Sequence, residues 1–347
     1  MRDDPPIPST PRSIEAHGPG PGPETLRAAY LDLLKLSLCD LVGVSTQMVW
    51  QDDDGRPFSR ELRDDEQRGW RVDGTDWPLN ALTMVGLRRL DDLQACVSAI
   101  VRDEVEGDLI EAGAWRGGSS IFMRAVLNTL GADGRTVWVA DSFQGFPEPQ
   151  PGSEDSELDR QMSDIDYLAP ALEDVRGYFA RFGCERGVEF VPGFFEETMD
   201  GLRGRRWSLI RLDADGYAAT RLALQTLYPG LSPGGYVVID DYFHFQLPVC
   251  RRAVDDFRRE HGIEDPIERI DWVGARWRKS SATPITGQAG QPAATSGANG
   301  RDRPAPRSAP RRTPERIPTD HELGLEYQLT ELRERLATIE AERHPSP

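Results

Sequence analysis

Between residues 106 and 279 the chain alternates short β-type runs with helical ones, and this alternation restricts its fold more than any other feature. Residues 108–111, 137–140, 188–191, 208–212 and 236–239 read as strands. Helices fit 119–130, 172–182, 217–228 and 248–261. Strands separated by helices of this length specify a parallel sheet covered on both faces. Two last short strands, at 267–270 and 272–277, have no helix between them, so they add an antiparallel edge hairpin.

The flanks read differently. Leu26, Tyr30, Leu33, Leu34, Leu38 and Leu41 repeat at three and four residues, which predicts an amphipathic helix. Residues 51–80 are polar, rich in Asp and Gly, and hold Trp70 and Trp77. They read as a long loop, a candidate lid. A second helix is expected at about 84–103, so residues 24–105 form a helical cap and lid ahead of the domain at 106–279. Residues 1–23 carry Pro-Pro and Gly-Pro steps and read as a disordered tail. Residues 280–318 read as a disordered linker. Within 319–343, Leu325, Leu329, Leu332, Leu336 and Ile339 space a short amphipathic helix that either pairs with a partner or frays alone.

Composition narrows the partners. With 41 Lys+Arg against 58 Asp+Glu, the formal charge is −17. That excess argues against a surface built to cover nucleic-acid phosphates or anionic lipid. No apolar run approaches the roughly 20 residues of a membrane span, and the first residues have no secretory pattern. Cys39, Cys96, Cys184 and Cys250 form no C-x-x-C pair. Buried free thiols in a reducing cytoplasm are the expectation.

Three sites carry candidate chemistry. In Leu109-Ile-Glu-Ala-Gly-Ala-Trp-Arg-Gly-Gly-Ser-Ser120 a strand ends at Glu111 and a helix starts near Gly118. Gly113 permits close approach of a ligand, and the helix start offers unpaired N–H groups to a carboxylate or phosphate. A plain Gly-rich turn is the bland alternative. The G-x-G-x-x-G fingerprint is absent, which disfavours a nicotinamide dehydrogenase. Further on, Asp141 ends the next strand at a spacing that suits the ribose hydroxyls of an adenosine, or a simple cap. Last, Asp213 and Asp215 end one strand and Asp240 and Asp241 the next. Neighbouring parallel strands finish side by side at the carboxyl edge, so Asp213, Asp240 and Asp241 converge. Caps explain one acid per strand end, whereas three at one spot suit a hard cation such as Mg²⁺ or Ca²⁺.

With these residues in place, the chain resembles the macrocin O-methyltransferase family. Its members are S-adenosylmethionine- and Mg²⁺-dependent sugar methyltransferases of antibiotic biosynthesis, acting on macrolide and aminocoumarin glycosides. The resemblance runs from about Tyr30 to Lys279. It is carried by Tyr30-Leu-Asp-Leu-Leu-Lys, Thr83-Met-Val-Gly-Leu-Arg-Arg-Leu-Asp-Asp-Leu-Gln94, Glu111-Ala-Gly-Ala-Trp-Arg-Gly-Gly118 and Ala140-Asp-Ser-Phe-Gln-Gly-Phe-Pro147. It continues through Leu212-Asp-Ala-Asp-Gly-Tyr217, Leu231-Ser-Pro-Gly-Gly-Tyr-Val-Val-Ile-Asp-Asp-Tyr242 and Cys250-Arg-Arg-Ala-Val-Asp-Asp-Phe257.

The resemblance implies an α/β class I methyltransferase fold: a Rossmann-like sheet with an antiparallel edge hairpin and an N-terminal helical cap. It implies that Glu111, Ala112, Gly113, Ala114, Trp115, Gly117, Gly118 and Ser119 cradle the methionine part of the cofactor. Thr83 and Met84 would close over it, and Asp141, with Ser142 and Phe143 beside it, would hold the ribose. Asp213, Asp240 and Asp241 would bind Mg²⁺, with Asp213 or Asp215 as the base. A small glycosylated acceptor and a dimer or tetramer are the expected partners. Two departures stand out. Ala214 and Gly216 replace the usual Gly and Leu of the Leu-Asp-Gly-Asp-Leu-Tyr pattern, and the segment after Tyr242 is about two residues longer.

Other side chains keep two readings. His244 is a candidate base or a lid residue between Phe243 and Phe245. Phe194 flanks adenine or fills core, and Tyr30 and Tyr242 contact the acceptor or pack as ordinary aromatics. A catalytically inactive binding protein on the same scaffold is the alternative function. The run of acids argues against it.

Overall fold

The computed structural model describes residues 22–51 and 57–280. Residues 1–21 of the expected tail at 1–23, residues 281–318 of the expected linker and the heptad segment therefore lie outside the described residues, and Pro23, expected in the tail, opens a helix. Ahead of the main sheet come α1 (Pro23–Leu38), the strands β1 (Gln47–Gln51) and β2 (Pro57–Glu61), α2 (Asp65–Asp73) and α3 (Gly86–Arg102). The expected long loop at 51–80 is thus a correction, because β1 and β2 pair antiparallel and α2 follows them. Local chemistry explains the helix. The Asp64 side chain accepts a hydrogen bond from the Gln67 backbone N–H, and Gly74 closes the other end in a left-handed conformation. Both signals were present within a polar stretch whose low apolar content masked them.

A fully buried ion pair fixes this cap. Arg71 meets Asp76 through Nη2 at 2.7 Å. Its other donors reach the carbonyls of Cys39 and Gln47 at 3.0 and 2.8 Å. One guanidinium, with its rigid fork of donors, so joins the end of α1, β1 and the segment leading to Trp77.

The main sheet has seven strands: β3 (Asp108–Ala112), β4 (Val137–Asp141), β5 (Val188–Pro192), β6 (Trp207–Leu212), β7 (Leu231–Ile239), β8 (Glu268–Arg269) and β9 (Ala275–Arg278). Their order is β5-β4-β3-β6-β7-β9-β8. The first five are parallel, and β9 runs antiparallel to both β7 and β8. This is the expected sheet with its edge hairpin. From β3 the chain builds outward through β4 and β5, then returns to place β6 on the other side. The order therefore reverses between β3 and β6, where an open sheet leaves its ligand crevice.

Helices α4 (Gly118–Thr129), α5 (Ser156–Met162), α6 (Leu172–Arg181), α7 (Phe195–Thr198), α8 (Tyr217–Leu227) and α9 (Pro248–Glu260) complete the fold. Alternation along the strands builds two cores. Leu109, Val137, Val139, Leu209 and Val238 pack with residues of α1, α3, α4 and α6. Ile110, Ala112, Ile210, Leu212 and Val237 pack with α8 and α9. All four cysteines are free and buried. Among the described residues no helix is long and apolar enough to cross a membrane.

Candidate active site

The same alternation places Glu111, Arg211 and Asp240 near the carboxyl ends of β3, β6 and β7. Backbone bonds level these ends. Gly113 N–H donates to Ala140 O at 2.8 Å, Asp213 N–H to Ala112 O at 2.9 Å, and Asp240 N–H to Leu212 O at 2.9 Å. Arg211 reaches Glu111 through Nη1 at 2.5 Å and Asp240 through Nη2 at 2.6 Å. The second Asp240 oxygen accepts from Arg89 of α3 at 2.5 Å, and Arg89 also pairs with Asp271 at 2.9 Å. A layer of alternating buried charge thus lies behind the carboxyl edge. Burial works against the charge on Asp240, yet Arg211 and Arg89 outweigh it and hold its carboxyl below the ordinary range.

This arrangement pairs some of the expected acids more fully than others. Asp240 lines the second cavity with both its oxygens paired to guanidiniums, and Asp213 Oδ2 also lies 3.2 Å from Arg211 Nη2. The carboxylates that converge are Asp213, Asp215 and Asp241, each with an oxygen within 4.8 Å of the others. Withdrawal from water and mutual repulsion push all three carboxyls upward, Asp215 to about 8. Oδ2 of Asp241 is buried with no hydrogen-bond partner among the described residues. Oxygen donors, crowded like charge and an orphaned carboxylate oxygen all fit a hard divalent cation. Asp215 takes a left-handed backbone, φ 52°, in the turn that follows β6.

Two cavities meet at these acids. The first is about 190 Å³ and is lined by Met84, Gly113, Trp115, Asp141, Ser142 and Phe194, among others. The second is about 450 Å³ and takes in Trp77, Phe146, Met162, Asp241, His244 and Trp272. Met84, Phe146, Leu168, Asp213 and Asp215 line both. A small molecule in the first therefore faces a second molecule in the other across Asp213 and Asp215.

Six of the expected cofactor residues line the first cavity, and the others stand behind it. Glu111 is held by Arg211 and the Ser120 hydroxyl. Ala112, Ala114 and Phe143 are core residues. Thr83 and Ser119 face each other, Oγ1 to Oγ at 3.2 Å. Gly117 and Gly118 pack against Phe179 and Leu82. Gly113 serves the fold as well as the cavity. Its φ is +87°, and a Cβ there would lie 1.8 Å from the Asp213 carbonyl oxygen, so β3 and β6 approach closely only with glycine.

Asp141 also has a structural task. Its Oδ2 accepts from the backbone N–H groups of Ala114 and Trp115 at 2.7 and 2.9 Å, and Oδ1 from Phe143 at 2.7 Å. The carboxylate that was expected on a ribose organises the glycine-containing turn while lining the cavity.

His244 faces the second cavity between Phe245 and Trp272, with ring centroids at 5.5 and 5.4 Å. Burial, then the nearby Arg89 charge, pushes its pKa down to about 4, so the ring is neutral at pH 7. Its Nδ1 is buried with no hydrogen-bond partner among the described residues. The two tyrosines expected at the acceptor line neither cavity. Tyr30 is 44% exposed on α1. Tyr242 packs in the core and donates to Asp255 at 2.6 Å.

Several lining or supporting residues escaped the sequence reading. Arg211 had one signal, a lone arginine inside the apolar strand Ser208–Leu212. Arg89 was hidden on an amphipathic helix. Trp77 and Tyr167 stack at 5.6 Å, and Tyr167 Oη donates to Pro78 O at 2.5 Å. Nothing local announces that pair.

An open sheet with this strand order and edge hairpin, with a cavity at its reversal point and acids beside it, defines a class I methyltransferase. The sequence model described as Macrocin-O-methyltransferase (TylF) matches residues 28–279. The chain belongs to this family and is an O-methyltransferase. It is 46% identical over 264 residues to the 8-demethyl-8-(2,3-dimethoxy-alpha-L-rhamnosyl)-tetracenomycin-C 4'-O-methyltransferase of Streptomyces olivaceus, covering 75% of this chain and 96% of that one. It is 40% identical over 265 residues to the mycinamicin III 3''-O-methyltransferase of Micromonospora griseorubida, covering 75% and 99%. The solved structure of the O-methyltransferase NovP superposes with a TM-score of 0.64 at 35% identity, covering 74% of this chain and all of that one.

Proposed function

We propose that this enzyme methylates a sugar hydroxyl of a glycosylated natural product, using S-adenosylmethionine and a divalent cation, Mg²⁺. The observation that carries the reading is the meeting of two cavities at Asp213 and Asp215, one beside the Gly113 turn and the other beside Asp241. The names of the tetracenomycin and mycinamicin relatives support a glycosylated acceptor.

The residues divide the work. Gly113, Trp115, Asp141 and Met84 wall the cofactor side. Its sulfonium would supply the methyl group as an electrophile, so the protein's task is alignment and readying of the oxygen. Asp213 and Asp241 would hold the cation, which when bound neutralises the acids and favours ionisation of a nearby hydroxyl. Asp215 reaches both cavities, which places its carboxylate beside both the cofactor and the acceptor, where a proton acceptor is needed. His244, neutral with a free Nδ1, offers a hydrogen-bond acceptor to a sugar hydroxyl rather than a base. Trp77, Phe146 and Trp272 give the acceptor cavity apolar faces suited to an aglycone or a deoxysugar.

The test is a screen of sugar-bearing natural products for release of S-adenosylhomocysteine, with Mg²⁺ and with EDTA. Methylation that depends on the cation supports the reading. Undiminished turnover in EDTA removes the cation, and methyl transfer confined to sugar-free phenols removes the acceptor class.

A further inference from the structure

Helix α8 starts directly after the turn that carries Asp213 and Asp215, yet its N-cap is Gly216, which has no side chain to satisfy the first N–H groups. Asp155 satisfies them from elsewhere in the chain. Its Oδ1 accepts from Tyr217 N–H at 2.6 Å and its Oδ2 from Ala218 N–H at 2.7 Å. Asp155 is buried and immediately precedes α5, whose Leu158, Gln161 and Met162 line the second cavity. Glu154 adds a surface pair to Arg252 of α9.

The absence of a side chain at Gly216 is what admits this carboxylate. Its φ is an ordinary −77°, so conformational freedom is not the reason. A Cβ there would lie 2.6 Å from Asp155 Oδ2 and 2.8 Å from its carboxyl carbon. On the other side of Gly216 the backbone turns tightly, with Gly216 N–H to Ala214 O at 2.5 Å, and Asp215 is left-handed. One carboxylate therefore fastens the cover of the acceptor cavity to the turn that aims an acid into it.

We propose that Asp155 is a positioning residue for methyl transfer, coupling α5 over the acceptor cavity to the pose of Asp215. The coupling concerns the acceptor side. It rests on the methyltransferase reading only for its kinetic consequence, since the clamp itself is a contact within the chain.

The test joins hydrogen exchange with kinetics on Asp155→Ala, Asp155→Asn and Gly216→Ala. A lost cap corresponds to about a fivefold to tenfold effect. Exchange over 142–171 and the first turn of α8 is expected to quicken by about that factor in Asp155→Ala, and acceptor KM to rise similarly. The affinity for S-adenosylhomocysteine, read by calorimetry, stays within about twofold. Asp155→Asn keeps one acceptor oxygen and falls between. Gly216→Ala reproduces the defect with Asp155 intact, and Asp155→Ala/Gly216→Ala is no worse than the stronger single change, because both remove one contact. Unchanged exchange in Asp155→Ala and Gly216→Ala overturns the proposal. So does faster exchange spread across the whole sheet with cofactor affinity lost in parallel, since Asp155 would then be a general stabiliser. Exchange is read without acceptor, so it judges the clamp even where the wild-type enzyme methylates none of the glycosides tried.

Discussion

Arg211 meets Asp240 through Nη2 at 2.6 Å, and this pair separates the acids of the carboxyl edge into two kinds. Asp240 is a neutralised member of a buried lattice of charge. Asp213, Asp215 and Asp241 face one another, with Asp213 also 3.2 Å from Arg211 Nη2.

The lattice sets the first prediction. Replacing Arg211 by Met leaves Glu111 and Asp213 without their guanidinium partner and Asp240 with Arg89 alone. Breaking a buried pair from one side costs about 3–5 kcal/mol. Urea denaturation should show a loss of that order, with Arg211→Lys intermediate because one ammonium nitrogen lacks the separated, rigidly held donors by which Arg211 spans Glu111 and Asp240. A loss below about 1 kcal/mol would mean that the pairs are not what holds this edge together.

Asp215 sets the second. Its carboxyl is pushed up to about 8 in the cation-free site, against about 3.9 in an unfolded chain. The folded state then holds a proton that the unfolded state has released between about pH 4 and 8. Stability of the cation-free protein should therefore fall as pH rises through that window. Asp213 and Asp241 shift in the same direction. Mg²⁺ must displace these protons, so the rise in Tm on adding it should be larger at pH 8 than at pH 6. Equal gains at both pH values would remove the cation from this trio.

The proton acceptor can be tested directly. Asp215→Asn should lower kcat by about 10²–10⁴ while the affinity for S-adenosylhomocysteine is unchanged. His244→Phe keeps a ring against Trp272 but removes the nitrogens. It should raise acceptor KM by about 3–10-fold, the worth of one neutral hydrogen bond, with kcat little altered. The pH–rate profile should lack a histidine limb near 6.5. A kcat loss in His244→Phe as large as that in Asp215→Asn would exchange the two roles.

Gly113→Ala is expected to damage the fold ahead of binding. The new Cβ would meet the Asp213 carbonyl at a left-handed φ. A loss of at least about 2 kcal/mol, a Tm drop of about 4–8 °C, should appear without any ligand. Normal Tm with weakened cofactor binding would restore the simpler view of Gly113 as a ligand-clearance residue.

Much of this was legible along the chain. The helices of the sheet domain fell near their expected positions because apolar periodicity persists over many residues. Strand ends at Glu111, Asp141, Asp213 and Asp240 were marked by abrupt polarity. The stretch at 51–80 was less legible because β1, β2 and α2 gain much of their order from Arg71, Asp76 and contacts distant in sequence. The fate of Asp240 was not legible at all. It depends on Arg89, which stands 151 residues earlier.

The sequence by itself determined the sheet and its edge hairpin, the family, and the gathering of acids at one edge, because strand periodicity and chain order are local properties. Only the tertiary structure decided which guanidiniums pair with these acids. Neutralisation of Asp240 needs guanidiniums from β6 and from α3, and those meet only when the helix packs on the sheet. The capping of α8 by Asp155 belongs to the same level. Its carboxylate comes from a segment 62 residues away, and no local pattern at Gly216 records its arrival.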